Sequence, residues 1–166
     1  LAEFGAIEGG NQTLARLDAY TGALMMSNPD QYPDNETFVI SRIFKAAQEL
    51  VFAALTEAER LGQWWGPTGI KIVSPKMDLR VGGMFHYGME LPDGSVMWGR
   101  AVYREIVPCD RLELINSFSN ENRDLVRAPF AEKWPLEMLN TYLLEKAPGG
   151  TRFTVVSKPC NADTEE

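Results

Sequence analysis

The spacing of apolar positions changes near Gly69, where a region with helical patterns and one strand gives way to a region of strands. Residues 38–44 have the composition of a strand, and residues 47–55 place apolar side chains three and four positions apart, which predicts a helix. Thr56 and Glu59 match a capping box, in which Glu59 would reach back to the Thr56 backbone N–H. A second short helix is therefore expected directly after the first.

From Gly69 onward the period changes to two, which predicts strands. The expected strands are 70–73, a run around 85–89, 96–107, 111–118, 136–145 and 151–157. Pro92-Asp93-Gly94 and Pro148-Gly149-Gly150 supply turns, because proline presets φ and glycine accepts a positive φ. Strands joined by short turns indicate an antiparallel meander, and the order of elements indicates an α+β fold.

The beginning of the chain has its own helical pattern. Its apolar residues recur at intervals of three and seven, namely Leu1, Phe4, Ile7, Leu14, Leu17 and Leu24. Residues 1–24 are therefore predicted to form a helix that covers the apolar face of the sheet. Residues 25–36, rich in Pro, Asn and Asp, are predicted to be a linker, and residues 37–166 a single sheet domain.

Composition and charge exclude several classes of function. The 166 residues are 45% hydrophobic and 23% charged, which is typical of one globular domain. Sixteen Lys and Arg against 23 Asp and Glu give a net charge of −7, which argues against a nucleic-acid partner. The sequence shows neither a membrane span nor a signal peptide, so we expect no membrane partner and a cytoplasmic location. Cys109 and Cys160 are expected to be reduced thiols.

No sequence motif specifies catalysis, and no metal site or cofactor is expected. His86 is the only histidine, and it alternates out of phase with Phe85, Tyr87 and Met89. Since successive side chains of a strand point to opposite faces, His86 is predicted to point away from those residues and to have a structural or solvent-facing role.

Aromatic residues and methionines give the most promising candidate site. Two adjacent tryptophans, Trp64 and Trp65, precede Gly66-Pro67. Each can bury roughly 150–250 Å², so they should cap a core or line the mouth of a cavity. The candidate lining residues are Trp64, Trp65, Phe85, Tyr87, Met89, Trp98, Tyr103, Phe118, Trp134 and Met138, with Tyr142 beside them. Ordinary core packing is the simpler interpretation, and an aromatic-lined pocket with a few polar tips is the functional one.

Several short motifs occur together in one order between Thr37 and Lys158. They are Arg42-Ile43-Phe44, Trp64-Trp65-Gly66-Pro67, Met77-Asp78-Leu79-Arg80-Val81-Gly82-Gly83, Pro92-Asp93-Gly94, Tyr103-Arg104-Glu105-Ile106-Val107-Pro108, Arg111-Leu112 and Trp134-Pro135. In this set and order the chain resembles the START-like (SRPBCC, helix-grip) superfamily. Within it, the chain is most similar to the homologues of the heat-shock-protein ATPase activator.

The resemblance implies a curved antiparallel sheet that grips one long helix, with two short helices after the first strand and an apolar cavity between sheet and long helix. In the family the long helix is C-terminal, whereas here residues 8–20 resemble it. Met25-Met26-Ser27 then resembles a native start. A circular permutant is one hypothesis; an upstream domain, or helices swapped between two chains of a homodimer, are the others.

One departure from the family pattern concerns the cavity. Gly9-Gly10 stands where the family usually has Gly-Trp, and the loss of the tryptophan should enlarge the cavity or loosen the helix. Ile7 and Gly10 therefore join the candidate lining residues.

These features favour a module that binds a small, mostly apolar or aromatic molecule between sheet and helix. An aromatase/cyclase-like enzyme acting on a hydrophobic substrate in the same cavity is the alternative, and a co-chaperone-like protein interaction is the second alternative.

Overall fold

A computed structural model of the chain describes residues 13–16, 27–28, 37–129 and 134–160, with only the backbone for residues 27–28. Residues 13–16 are helical. The other described elements are β1 (Ser27–Asn28), β2 (Phe38–Phe44), α1 (Gln48–Thr56), α2 (Ala58–Trp64), β3 (Lys71–Met77), β4 (Met84–Glu90), β5 (Val96–Val107), β6 (Arg111–Ser119), β7 (Leu125–Val126), β8 (Met138–Ala147) and β9 (Gly150–Pro159).

All described strands form one antiparallel sheet. Its order is β1-β2-β9-β8-β6-β5-β4-β3, and the short strand β7 pairs with β6 beyond the end of the β6–β8 ladder. Most neighbouring strands are consecutive in the chain, whereas β2 pairs with the last described strand, β9. The predicted α+β class, with two short helices after the first long strand, is confirmed.

Two irregularities bend the sheet. The register shifts between Val73 and Lys76 in β3, where Ser74 has a φ of 50°, and again between Tyr103 and Glu105 in β5. An extra residue on one strand increases the local twist and bends the strand. The sheet therefore curves around the side that carries the helices.

The predicted capping box at Thr56 is wrong. Thr56 is the last residue of α1, and its hydroxyl donates to the Phe52 carbonyl oxygen at 2.7 Å. The residue that precedes α2 is Glu57, and its side chain makes no capping hydrogen bond. A threonine hydroxyl in a helix can donate a hydrogen bond to the carbonyl oxygen four residues earlier. Thr56 makes this bond instead of capping the next helix.

The two faces of the sheet have different surroundings, because the helices pack against only one of them. The inner face, defined by Phe85, Tyr87 and Tyr103, shares one continuous apolar core with α1 and α2. The outer face carries the alternate positions, such as His86 and Arg100. The largest fully buried side chains among the described residues are Trp64, Tyr103, Phe44, Phe85, Phe153, Leu112, Val51 and Thr151. Any site formed by the inner face is therefore built from core-forming strands.

Three further features of the described residues concern membrane spans, metal sites and thiols. Within residues 13–16, 37–129 and 134–160, no helix is both long and apolar enough to cross a membrane. In the same ranges, no group of three or more His, Cys, Asp or Glu side chains is arranged to hold a metal ion. Cys109 and Cys160 are free thiols, each half-buried.

Candidate functional site

Three tyrosines from three different strands meet on the inner face. Tyr87 of β4, Tyr103 of β5 and Tyr142 of β8 are each less than 10% exposed. Tyr142 lies within electrostatic range of Tyr87 and Tyr103. The Asn116 side chain of β6 forms a hydrogen bond with the Tyr142 hydroxyl. Four neighbouring strands thus direct polar tips to one patch of an otherwise apolar surface.

Neighbouring aromatic rings and a glycine fix Tyr87 in this patch. Its ring stacks on Phe85 with centroids 4.7 Å apart, and Trp65 meets it edge-on at 6.2 Å. The Trp65 indole N–H donates to the Tyr87 hydroxyl. A Cβ at Gly99 would come within 2.7 Å of the Tyr87 ring, so the absence of a side chain there lets the ring lie against the sheet. These contacts together hold the Tyr87 ring in a fixed position.

Burial raises the pKa of all three tyrosines. For Tyr87 and Tyr142 removal from water is the largest cause, partly offset by the hydrogen bonds from Trp65 and Asn116. For Tyr103 burial is the cause. Since free tyrosine ionises near pH 10, these hydroxyls remain protonated at neutral pH and can donate hydrogen bonds.

Stability should therefore fall in alkaline solution. Above about pH 10 the folded tyrosines keep their protons, whereas tyrosines of the unfolded chain lose theirs. These three residues therefore leave the free energy of unfolding unchanged below that pH and lower it above that pH. The expected slope is about 1.4 kcal/mol per pH unit for each tyrosine. Urea denaturation between pH 9 and pH 11 measures it. Tyr142→Phe should reduce the slope, and an unchanged slope in that variant would contradict the assignment.

The sequence interpretation missed several polar residues of the inner face. Asn116 lies in phase with Leu114 and Phe118 on β6, and its Oδ1 is buried with no hydrogen-bond partner among the described residues. Arg42 of β2 and Asn140 of β8 also lie on this face, and both are 6% exposed. Their common signal is a polar residue at a position whose strand neighbours, two residues away, are apolar.

The structure brings most of the predicted lining residues together. Phe85, Tyr87, Met89 and Tyr103 are buried on the inner face, and Phe118 and Met138 are half-buried on it. Trp134 is half-buried in the segment before β8. Ile7 and Gly10 lie outside the described residues.

The two adjacent tryptophans have different environments. Trp64 is 1% exposed, and its indole N–H donates to the Ala54 carbonyl oxygen of α1 at 3.0 Å. It is therefore a core residue whose one polar atom is already hydrogen-bonded within the protein. Trp65 is half-buried and contacts Tyr87, so it borders the tyrosine patch.

Trp98 does not belong with the other lining residues. It pairs with Gly88 and Ser119 on the outer face, where its ring stacks on His86 with centroids 5.0 Å apart and planes 6° apart. Trp98 and Tyr103 are five residues apart on one strand, and an odd separation within regular β-structure places two side chains on opposite faces. His86 points away from Phe85 and Tyr87, as the alternation predicts, and it is 4% exposed.

The leading helical residues contact the loop that follows α2. Leu14 is 3% exposed and belongs to the core. The Arg16 guanidinium donates from Nη1 to the carbonyl oxygens of Trp65, Gly66 and Pro67 at 3.1, 2.8 and 2.9 Å. The last carbonyls of a helix and the loop after it lack helical partners, and a cation is favourable there. Arg16 thus links residues 13–16 to the Trp-Trp-Gly-Pro loop.

Replacing Arg16 with alanine should lower the free energy of unfolding by about 2 kcal/mol, because several carbonyl oxygens lose a charged donor. Arg16→Lys should recover only part of this, because an ammonium group cannot reproduce the planar array of donors. Urea denaturation and amide hydrogen exchange of residues 63–70 measure the effect. Arg152→Ala, at an exposed position of β9, is the control. Equal stability and exchange in Arg16→Ala and this control would refute the anchoring role.

Comparison with known proteins agrees with this architecture. The model of the family described as Activator of Hsp90 ATPase homolog 1-like protein matches residues 45–166, well over half of the chain. The chain belongs to this family. No curated protein matches the sequence.

Family members and other proteins of the same fold have been solved. A protein from Mycobacterium smegmatis aligns with a TM-score of 0.66 and 23% identity, over 84% of this chain and 82% of its own. A protein from Arthrobacter aurescens aligns with a TM-score of 0.66 and 28% identity, over 78% and 72%. An AHSA1 protein from Silicibacter pomeroyi aligns with a TM-score of 0.58 and 20% identity, over 76% and 82%. These likenesses support the START-like fold.

Proposed function

We propose that this family member binds a small, mostly apolar molecule on the inner face of its sheet. The observation that carries the proposal is the convergence of Tyr87, Tyr103, Tyr142 and Asn116, from four strands, on one patch of an apolar face. Small-molecule sites are typically apolar and aromatic surfaces with a few placed polar groups that fix the orientation of the ligand.

The ionisation of these residues favours binding over acid–base chemistry. Burial raises the pKa of each tyrosine, so its hydroxyl is a hydrogen-bond donor and a poor base at neutral pH. An enzyme of the aromatase/cyclase type would instead need a group that exchanges a proton near neutral pH. A chaperone-type interaction draws its support from the family description alone.

Binding can be tested with N-phenyl-1-naphthylamine, an apolar probe whose fluorescence rises in apolar surroundings. The probe should bind saturably to the wild-type protein. Phe118→Ala should weaken this binding about 10-fold, because it removes a half-buried aromatic contact from the inner face. The matched control is Ile115→Ala, which truncates a half-buried side chain on the outer face of the same strand.

The two variants separate specific binding from general hydrophobic adsorption. Wild-type affinity in Ile115→Ala together with weaker binding in Phe118→Ala supports the inner-face site. Equal losses in both variants, or no saturation with the wild-type protein, would refute it. Far-UV circular dichroism of each variant confirms that the sheet is intact.

We also propose that residues 1–24 form one helix that covers this site, as a circular permutation of the family's terminal helix would require. The burial of Leu14 in the core and the Arg16 bonds to the Trp-Trp-Gly-Pro loop support this arrangement. A helix swapped between two chains would make the same contacts. Sedimentation velocity across a range of concentrations distinguishes a self-covered monomer from a swapped dimer.

A further inference from the structure

A cleft of about 190 Å³ lies on the outer side of the sheet, beside the single histidine. It is bordered by the end of β3, the start of β4 and the loop that joins β6 to β7, and its lining residues are Lys76, Met77, Asp78, Met84, His86 and Arg123. His86 points to the opposite face of β4 from Phe85 and Tyr87, so this cleft is separate from the proposed apolar site.

Two contacts hold the His86 ring in a fixed position. The ring lies parallel to Trp98, and Nε2 is 3.2 Å from the Asn120 carbonyl oxygen. A carbonyl oxygen only accepts hydrogen bonds, so Nε2 carries the proton in this contact. Nδ1 is then the ring nitrogen that is left for a further partner.

The charges that line the cleft are mainly positive. Lys76 is directly opposite His86 in the β3–β4 ladder, and Arg123 enters from the β6–β7 loop. Neither side chain forms an ion pair with any described residue. Asp78 is the acidic lining residue, and its carboxylate accepts a hydrogen bond from Arg80 at 2.8 Å. Two cations and an imidazole therefore face one compensated carboxylate, in a chain whose net charge is −7.

The loop that carries Arg123 is well braced. The Asn120 and Asp124 side chains hydrogen-bond each other at 2.9 Å, and Arg100 donates from Nη1 to the Arg123 carbonyl oxygen at 3.0 Å. Arg123 itself has a φ of 74°, an uncommon value for a residue other than glycine. Because the loop backbone is already ordered, binding would cost little further backbone entropy.

We propose that this cleft binds a small oxyanion, a carboxylate or phosphate group, between Lys76, Arg123 and His86. Arginine and lysine form short charge-assisted hydrogen bonds with both groups, and a histidine nitrogen can add a third. The cleft is smaller than the roughly 300 Å³ at which pockets for drug-sized ligands begin, so it suits a small anion or the terminal group of a longer molecule.

The single histidine makes the test direct, because the ring protons of His86 give the only imidazole signals in a chain without a histidine tag. Sodium phosphate and sodium acetate are titrated separately at constant pH, with sodium chloride holding the ionic strength constant. A saturable change in the His86 chemical shifts is expected with at least one of them. The anion that saturates at the lower concentration identifies phosphate or carboxylate as the preferred group.

Variants then localise the binding. Lys76→Gln and Arg123→Gln should each weaken binding about 10-fold, because each removes one charged donor. Arg152→Gln removes the same charge from an exposed position on β9 and should leave the affinity unchanged. Shifts that rise linearly with both anions, or equal weakening by Arg152→Gln, would overturn the proposal. The anion-free His86 shifts of each variant show whether its ring has kept its position.

Discussion

Replacing Gly150 with alanine is expected to lower the free energy of unfolding by about 3 kcal/mol or more. A Cβ at this position would lie 1.8 Å from the Phe44 carbonyl oxygen and 3.0 Å from the Lys45 Cα. These are backbone atoms of β2 and of the residue that follows it, so they cannot rotate away as a side chain could. Relief of the clash requires the β2–β9 ladder to separate near its end.

The adjacent glycine provides a matched control for this variant. Gly149 has a φ of 83° and nothing within 4 Å of its virtual Cβ, so Gly149→Ala should cost only about 1 kcal/mol of backbone strain. Thermal and urea denaturation of the two variants measure the difference. A similar cost for both would show that turn conformation, rather than the close approach of β2 to β9, explains the glycine at position 150.

The strands were the most predictable part of the fold. The strand-like run from Val96 to Val107, ended by Pro108, identified the whole of β5, and the Pro-Gly turn identified the β8–β9 hairpin. The Thr56 cap failed because a capping box and a threonine bonded within its own helix have the same sequence. Only the geometry of the backbone decides between them.

The candidate site was less predictable because it depends on which strands are neighbours. Grouping Trp98 with Tyr103 by residue type ignored their opposite phases, an error that the sequence alone could have corrected. The meeting of Tyr142 with Asn116 depends on the β6–β8 ladder, which joins strands separated by a long connection. That pairing follows from packing of the whole sheet and has no local signal.

Replacing Trp64 with alanine should produce the other large loss, about 3–5 kcal/mol. The indole is 1% exposed, fills the space beside α1 and Trp65, and donates to the Ala54 carbonyl oxygen. The substitution therefore leaves a cavity and an unpaired carbonyl together. Urea denaturation measures the loss, and Val81→Ala, at a residue that is 62% exposed, should change stability by less than about 0.5 kcal/mol.

Trp64→Phe separates a core role for Trp64 from a ligand-lining role. Phenylalanine keeps most of the buried ring but cannot donate to Ala54, so this variant should lose about 1–3 kcal/mol and still fold. Because the Trp64 indole N–H is bonded to α1 and lies apart from the tyrosine hydroxyls, folded Trp64→Phe should bind the naphthylamine probe with wild-type affinity. Weaker probe binding in a fully folded Trp64→Phe protein would instead place this tryptophan in the site. Phe118→Ala is expected to weaken probe binding instead, since the Phe118 ring is half-buried on the inner face.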